Sequence, residues 1–380
     1  MASRERPGLY IHVPFCERKC PYCDFYSVPL AGSRAGIGGY LESVACEWRQ
    51  AASGWPAFDT LYIGGGTPSV LDPEQIASLL DTARASLAQP AEITVELNPA
   101  DVRAALLAAL RAAGVNRLSL GVQSFADDEL AWLGRRHDSA AAVRAIALIR
   151  EADFGSLGLD LIYALPGQDP SRWRRNLQRA VALAPEHLSC YALTVAPGTP
   201  LWRRAARGEI VTDEDASAAL FLDGSRLLCD AGYEHYEVSN FARLAGDPGA
   251  SLRSRHNQKY WSRTPTLGLG PAAHSFDGER RWWNARDLDG YAAALAERGD
   301  ARAGEERIDA AMARLEAIAL GVRTADGVAL AVVGDEQRCN VDRICDAGWA
   351  TRREGALCPT REGLLRADGI ARLLGSDPDT

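Results

Sequence analysis

Between residues 9 and 231 six short apolar runs, rich in β-branched residues, alternate with longer stretches of helical periodicity. That alternation leaves few folds open, because a strand followed by a helical crossover returns to pair in parallel with its neighbour. The runs are LYIHVPF (9–15), TLYIGGG (60–66), EITVELN (92–98), RLSLGVQ (117–123), LGLDLIYAL (157–165) and HLSCYALTV (187–195). DVRAALLAALRAAG closes on Gly114, the usual place of a C-terminal cap, and SAAAVRAIALIREAD opens with Ser139 as its expected N-cap. The expected fold class is therefore α/β, built of six βα units. RLAGDPGASLRSR (243–255) reads as a mobile surface loop after them.

In such an architecture the loops leaving the carboxyl ends of parallel strands gather on one face. The chemically suggestive residues fall there. Cys16, Cys20 and Cys23, in PFCERKCPYCDF, follow the first run and put three thiolates into eight residues. A four-iron cluster used only for electron transfer takes four thiolates, so a trio leaves one iron for an exchangeable small molecule. Zinc would call for a second short Cys or His pair, and no second CxxC exists. Disulfides fit worse, since MASRERPGLY lacks the apolar core of an export signal and cysteines this close cannot all bridge without strain.

Gly64, Gly65 and Gly66, followed by Thr67 and Pro68, end the second run. They let backbone groups approach a polar ligand closely, or form a plain tight turn. Glu96 lies near the end of the third run, as a ligand contact or a surface ion pair, and Gln123 ends the fourth. Asp160 lies within the fifth and must face the barrel interior to join them. Tyr10 and His12 share one side of the first strand, opposite Ile11 and Val13. His12 reads either as a core imidazole with a satisfied ring nitrogen or as a catalytic group.

The stretch LYIHVPFCERKCPYCDFYS resembles the radical S-adenosylmethionine family, in the branch that contains oxygen-independent coproporphyrinogen III oxidase and its haem-chaperone relatives. The resemblance is strong over residues 9–276 and loose beyond. It implies an open (β/α)6 partial TIM barrel over residues 1–242, an extension over 243–304 and a small, mainly helical C-terminal domain over 305–380. It implies a [4Fe–4S] cluster on Cys16, Cys20 and Cys23, with S-adenosylmethionine chelating the open iron and losing a carbon–sulfur bond to an electron from the cluster. To that cofactor it assigns Tyr10, Gly65, Gly66, Thr67, Glu96, Gln123, Arg135 in LGRRH, and Asp160, with Tyr22 shielding the cluster and packing on the adenine. No residue is assigned as a catalytic acid, base or nucleophile.

Within that branch the oxidase carries a further cysteine one residue beyond the third, where this chain has Asp24 and then Phe25. RHNQKYW (255–261) contains the H-N-x-x-Y-W signature linked in the chaperone relatives to haem binding, and YEVSNFA (236–242) also resembles them. The resemblance thus implies a protein that binds haem and passes it to acceptor apo-haemoproteins. His256 would offer an imidazole to the iron, with Tyr260 and Trp261 against the porphyrin; His274 in AAHSF is a second candidate. Read without the resemblance, a histidine beside aromatics is more often structural. The rival is oxidative decarboxylation of coproporphyrinogen III in porphyrin biosynthesis; a third class is a radical enzyme acting on another tetrapyrrole or small molecule. Ala164, Ala196 and Ala272 depart from the branch's YGLPGQ, LTxEPGT and GAHSF motifs, and a methyl at the two glycine positions would crowd the pocket.

A net charge of −8 on 380 residues provides no basic field for phosphate backbones, so nucleic acid is not an expected partner, and Arg172 to Arg179 reads as a solvated helix face. No apolar stretch approaches the ~20 residues that span a bilayer. The expectation is a cytoplasmic protein with no transmembrane segment, for which peripheral membrane contact stays open. Cys46, Cys190 and Cys229 read as ordinary burial, and the spacing of Cys339, Cys345 and Cys358 is too irregular for a second metal site.

Overall fold

The computed structural model describes residues 5–30, 34–247 and 250–375. The chain folds into two compact units: Met1–Ile162, Leu193–Val211 and Thr264–Arg307 form the first, and Tyr163–Ala192, Thr212–Arg263 and Ile308–Thr380 the second.

In the first unit the strands Gly8–Val13, Phe58–Gly65, Leu87–Leu97, Arg117–Gln123 and Ser156–Tyr163 pair in parallel in chain order. Thr266–Leu269 adds in parallel to the other side of the first strand, and the antiparallel strands His274–Phe276, Arg280–Asn284 and Arg302–Arg307 continue the sheet outward. Register explains why the sheet holds together and where it becomes a site. Ile11, Ile63, Val95 and Leu118 form one row across four strands, and all four are fully buried. Each such side chain contributes about 1.5–3 kcal/mol on leaving water. One residue further along each strand the side chains point to the opposite face. There His12 pairs with Gly64, and Glu96 with Ser119.

The helix Ala104–Ala112 ends just before Gly114, whose φ of +89° is the left-handed conformation that stops a helix. The helix Ser139–Glu151 corrects the expected cap: Asp138, not Ser139, is the N-cap, and its carboxylate accepts the Ala141 N–H at 2.6 Å. Asp138 has an extended backbone, whereas Ser139 is already helical and donates its own N–H to Asp127.

In the second unit His187–Ala192 pairs antiparallel with Asn240–Arg243, which pairs with Tyr233–His235. Toward the C-terminus, Ala310–Gly321 packs on Ala367–Gly375 around Ile318, Val341, Ile344 and Ile370. A three-stranded sheet of Val328–Ala329, Ala356–Pro359 and Ala350–Arg353 completes that part. The ends of the 243–255 segment are built in: Arg243 closes a strand, Arg253 is clamped by Glu234 and Asp326, and Ser254 caps a helix. Residues 248–249 lie outside the described residues. Ala164 and Ala272 have φ of +58° and +59°, the left-handed region in which a Cβ is strained, which is the physical meaning of glycine at those motif positions.

Candidate cluster and cofactor site

The cysteine loop is a closed hoop. The short strand Phe15–Cys16 runs parallel to Val28–Pro29, with the Val28 N–H donating to Pro14 O at 2.7 Å and the Leu30 N–H to Cys16 O at 2.6 Å. Its outer side is pegged by Arg18, which donates to Gly134 O at 2.7 Å, and by Pro21, whose carbonyl accepts the Leu201 N–H at 2.9 Å. Inside the hoop Cys16 Sγ lies 3.4 Å from Thr67 Oγ1 and Cys20 Sγ 3.5 Å from Arg135 Nη1. Burial pushes the Cys23 thiol up to about 11, and the neighbouring Cys16 and Cys20 add to the rise.

The glycine turn faces this hoop. The Gly66 N–H donates to Val13 O at 2.8 Å and the Thr67 N–H to Phe15 O at 2.7 Å, which sets the turn against the segment leading into Cys16. A Cβ on Gly66 would lie 2.6 Å from Phe15 O, and one on Gly65, at φ +110°, 2.5 Å from the His12 ring. Neither position admits a side chain. Glu96 spans the same corner, Oε1 accepting the Tyr62 hydroxyl at 2.7 Å and Oε2 the Gly65 N–H at 3.1 Å. Burial, reinforced by the charge of Asp160, pushes the Glu96 carboxyl up to about 7 against the pull of those two donors.

Tyr10 and His12 do share a face: the Tyr10 hydroxyl lies 2.9 Å from His12 Nδ1, and His12 Nε2 lies 2.9 Å from Tyr26 O. A carbonyl only accepts, so Nε2 carries the proton and Nδ1 takes the tyrosine hydrogen. Burial holds the ring below the usual histidine range, so His12 is a neutral, doubly bonded core imidazole. Ser119 Oγ donates to both carboxylate oxygens of Asp160, at 3.1 and 3.2 Å. Gln123 has φ +67°, which bends its backbone out of the strand, and a Cβ on Gly121 would sit 3.0 Å from its Nε2. Arg135 Nη2 donates to Gly121 O at 2.8 Å.

These contacts bring Tyr10, Tyr22, Gly65, Gly66, Thr67, Glu96, Gln123, Arg135 and Asp160 together with the three cysteines at one end of the first unit's sheet. His256 belongs to the second unit. No motif marks Tyr62 and Ser119; period two along TLYIGGG and RLSLGVQ, with the parallel register, places them beside Gly64 and Glu96. His256 lies on the helix Arg255–Trp261, which is capped by Ser254. It is 1% exposed, and its Nε2 lies 3.0 Å from the Tyr260 hydroxyl, while the Tyr260 ring is exposed.

The residues suit an iron–sulfur cube with a small-molecule chelate. Among the described residues no three His, Cys, Asp or Glu side chains converge on a single metal ion. A cube takes each thiolate on a different iron, a wider set than the tetrahedral ligands of one zinc. Arg135 Nε is buried with no hydrogen-bond partner, an unspent donor beside Cys20. Burial alone would lower the Arg135 pKa, but the Tyr22 hydroxyl and the Cys20 thiol raise it overall, so the guanidinium stays charged. The glycine turn is held against Tyr62, His12 and the Glu96 carboxyl at distances that no side chain on Gly64 or Gly65 would allow.

The radical SAM superfamily profile matches residues 10–180. The chain is 37% identical over 377 residues to a Mycobacterium tuberculosis protein named heme chaperone HemW, covering 97% of this chain and 94% of that one. It is 40% identical over 271 residues to the Escherichia coli heme chaperone HemW, covering 70% and 69% respectively. The solved structure of Escherichia coli coproporphyrinogen III oxidase (HemN), described as a radical SAM enzyme, superposes with a TM-score of 0.83 at 24% identity, covering 98% of this chain and 91% of that one. That match shows the fold, the open (β/α) barrel of radical SAM proteins. The chain belongs to the radical SAM superfamily, and within it to the branch of HemW and HemN. The family implies a [4Fe–4S] cluster and S-adenosylmethionine. No helix among the described residues is long and apolar enough to cross a membrane.

Proposed function

We propose that this chain is a haem chaperone that binds haem and transfers it to acceptor apo-haemoproteins, with cluster and S-adenosylmethionine held at the strand ends of the first unit. The observation that carries the reading is similarity to proteins named heme chaperone HemW over nearly the whole chain, together with a cysteine hoop that stops at three ligands.

In this reading Cys16, Cys20 and Cys23 would hold a [4Fe–4S] cluster with one iron left for S-adenosylmethionine, and the pair when bound would supply one-electron cleavage of the sulfonium. The chain's own residues do the placing. Backbone at Gly65, Gly66 and Thr67, with the Glu96 carboxyl, receives the amine; Arg135 holds a fixed positive charge beside the sulfurs; Asp160, oriented by Ser119, and Gln123 offer polar groups to the ribose. Tyr10 and Tyr22 close the site against water, which keeps the cluster's environment dry. His256 and the exposed ring of Tyr260 belong to the haem-binding element, and ligation by His256 requires its bond to Tyr260 to open.

The test is haem titration of anaerobically reconstituted protein beside a turnover assay with coproporphyrinogen III and a transfer assay to an apo-haemoprotein. Tight haem binding with transfer and no decarboxylation is the expected result. Loss of carboxyl groups from coproporphyrinogen III with consumption of S-adenosylmethionine would replace the carrier by the oxidase.

A further inference from the structure

We propose that His274 is an iron ligand for haem, set in a small platform on the outer antiparallel strands of the first unit. The proposal rests on the haem-chaperone reading and adds to it a site in a different part of the fold from His256.

A histidine that ligates iron needs an uncovered ring nitrogen, and the six histidines differ sharply in that respect. His12, His137, His187, His235 and His256 each commit a ring nitrogen to a hydrogen bond within the protein. All five have little or only partial exposure. His274 is exposed, and among the described residues its ring nitrogens make no hydrogen bond. The ring is nonetheless oriented. It stacks on Trp283, its cross-strand partner, with centroids 6.0 Å apart and planes 28° from parallel. Trp283 in turn lies over Gly304 on the next strand, where a Cβ would be 2.5 Å from Trp283 Cζ2, so a flat position beside the indole is built in.

Two residues along, on the same face, Phe276 pairs with Arg281. The Arg281 guanidinium lies 5.7 Å from the Phe276 ring centroid and donates to Glu306 at 2.9 Å. The face thus carries an accessible imidazole, two aromatic side chains and the Arg281–Glu306 ion pair, whose guanidinium still has other N–H groups to donate. Those match the iron, the apolar ring edge and the carboxylates of a haem. Partial burial, and the charge of Arg281, hold the His274 ring below the usual histidine range, so it is neutral near pH 7, the form that binds iron.

The experiment is ferric haem titration of the full-length purified protein, read by the Soret and visible bands and by electron paramagnetic resonance rather than by turnover. His274→Ala is expected to weaken binding about tenfold or more and to replace a low-spin by a high-spin signal. His274→Cys should turn the spectrum into that of a thiolate-ligated haem, a signature that a merely structural role would not produce. Trp283→Ala should weaken binding less than His274→Ala. Because His274 is exposed, the variants should keep the wild-type circular dichroism. An unchanged affinity and spectrum in His274→Ala, or loss of the low-spin signal in His256→Ala alone, would overturn the assignment while leaving the chaperone reading standing. Failure of the wild type to bind haem would remove both.

Discussion

At the strand ends of the first unit the fold leaves a donor unspent, Arg135 Nε, beside a buried carboxyl held near neutrality at Glu96 and three free cysteines in one hoop. The 255–261 helix of the second unit is the reverse. Ser254 caps it, His256 is buried, and the histidine's Nε2 is answered by Tyr260 within the same helix. Unsatisfied buried groups are costly, so a fold keeps them where a ligand will satisfy them. A motif that satisfies itself must first break a bond in order to bind. On the proposed function the first region would take its ligand as it stands, whereas the second would have to open first.

The most severe way to break this contrast is Cys20→Ala. We expect complete loss of the four-iron chromophore and of cluster iron after anaerobic reconstitution, while His256→Ala keeps both; a cluster retained in Cys20→Ala removes the first site altogether. Next comes Gly65→Ala. Positive φ alone makes such a residue cost about 1–3 kcal/mol, and the added Cβ runs into His12, so both thermal stability and S-adenosylmethionine affinity by calorimetry should fall. A fall in stability with unchanged affinity would remove the turn from the binding site.

A matched pair of buried carboxyls sharpens the comparison. Glu47 in the first unit and Glu237 in the second are each pushed up to about 7, chiefly by burial. With the folded pKa above the unfolded one, each contributes stability that is fully present below the ordinary glutamate range, about 4.3, and is lost as pH rises toward about 7. Glu47 accepts from Asn284, Gly270 and Tyr291 at 2.6, 2.9 and 2.6 Å, whereas Glu237 Oε1 has no partner. Urea unfolding against pH should therefore show Glu47→Gln destabilised by about 1–3 kcal/mol, through the loss of an acceptor. Glu237→Gln should be neutral or stabilising above pH 7, and both variants should flatten part of the slope. The smallest effect is expected for Tyr260→Phe, which removes the hydroxyl beside His256 Nε2 at a cost of about 1 kcal/mol and should tighten haem binding if ligation by His256 requires that bond to open. Weaker haem binding in Tyr260→Phe would mean the hydroxyl itself holds the ligand.

Much of the first unit was legible before any coordinates. Runs such as RLSLGVQ became strands at their expected places because alternation and β-branching act locally, and the cysteine trio was visible as spacing alone. Other parts were not. Asp138 took the cap from Ser139 because both neighbours are good capping residues and only backbone conformation decides between them. Tyr62 and Ser119 entered the site through register, a property of paired strands rather than of either strand alone.

The histidines show where that boundary lies. His256 stands in the motif linked to haem and His274 in the shorter AAHSF motif, yet burial and hydrogen bonding reverse their readiness to meet a ligand. Local pattern was enough to specify the βα alternation, the spacing of the three cysteines and the glycine turn, since each follows from steric and chemical preferences carried by neighbouring residues. Which imidazole stays uncovered, which carboxyl sits near neutrality and which guanidinium keeps a spare donor depend on atoms brought together from distant segments, and only the packed structure sets them.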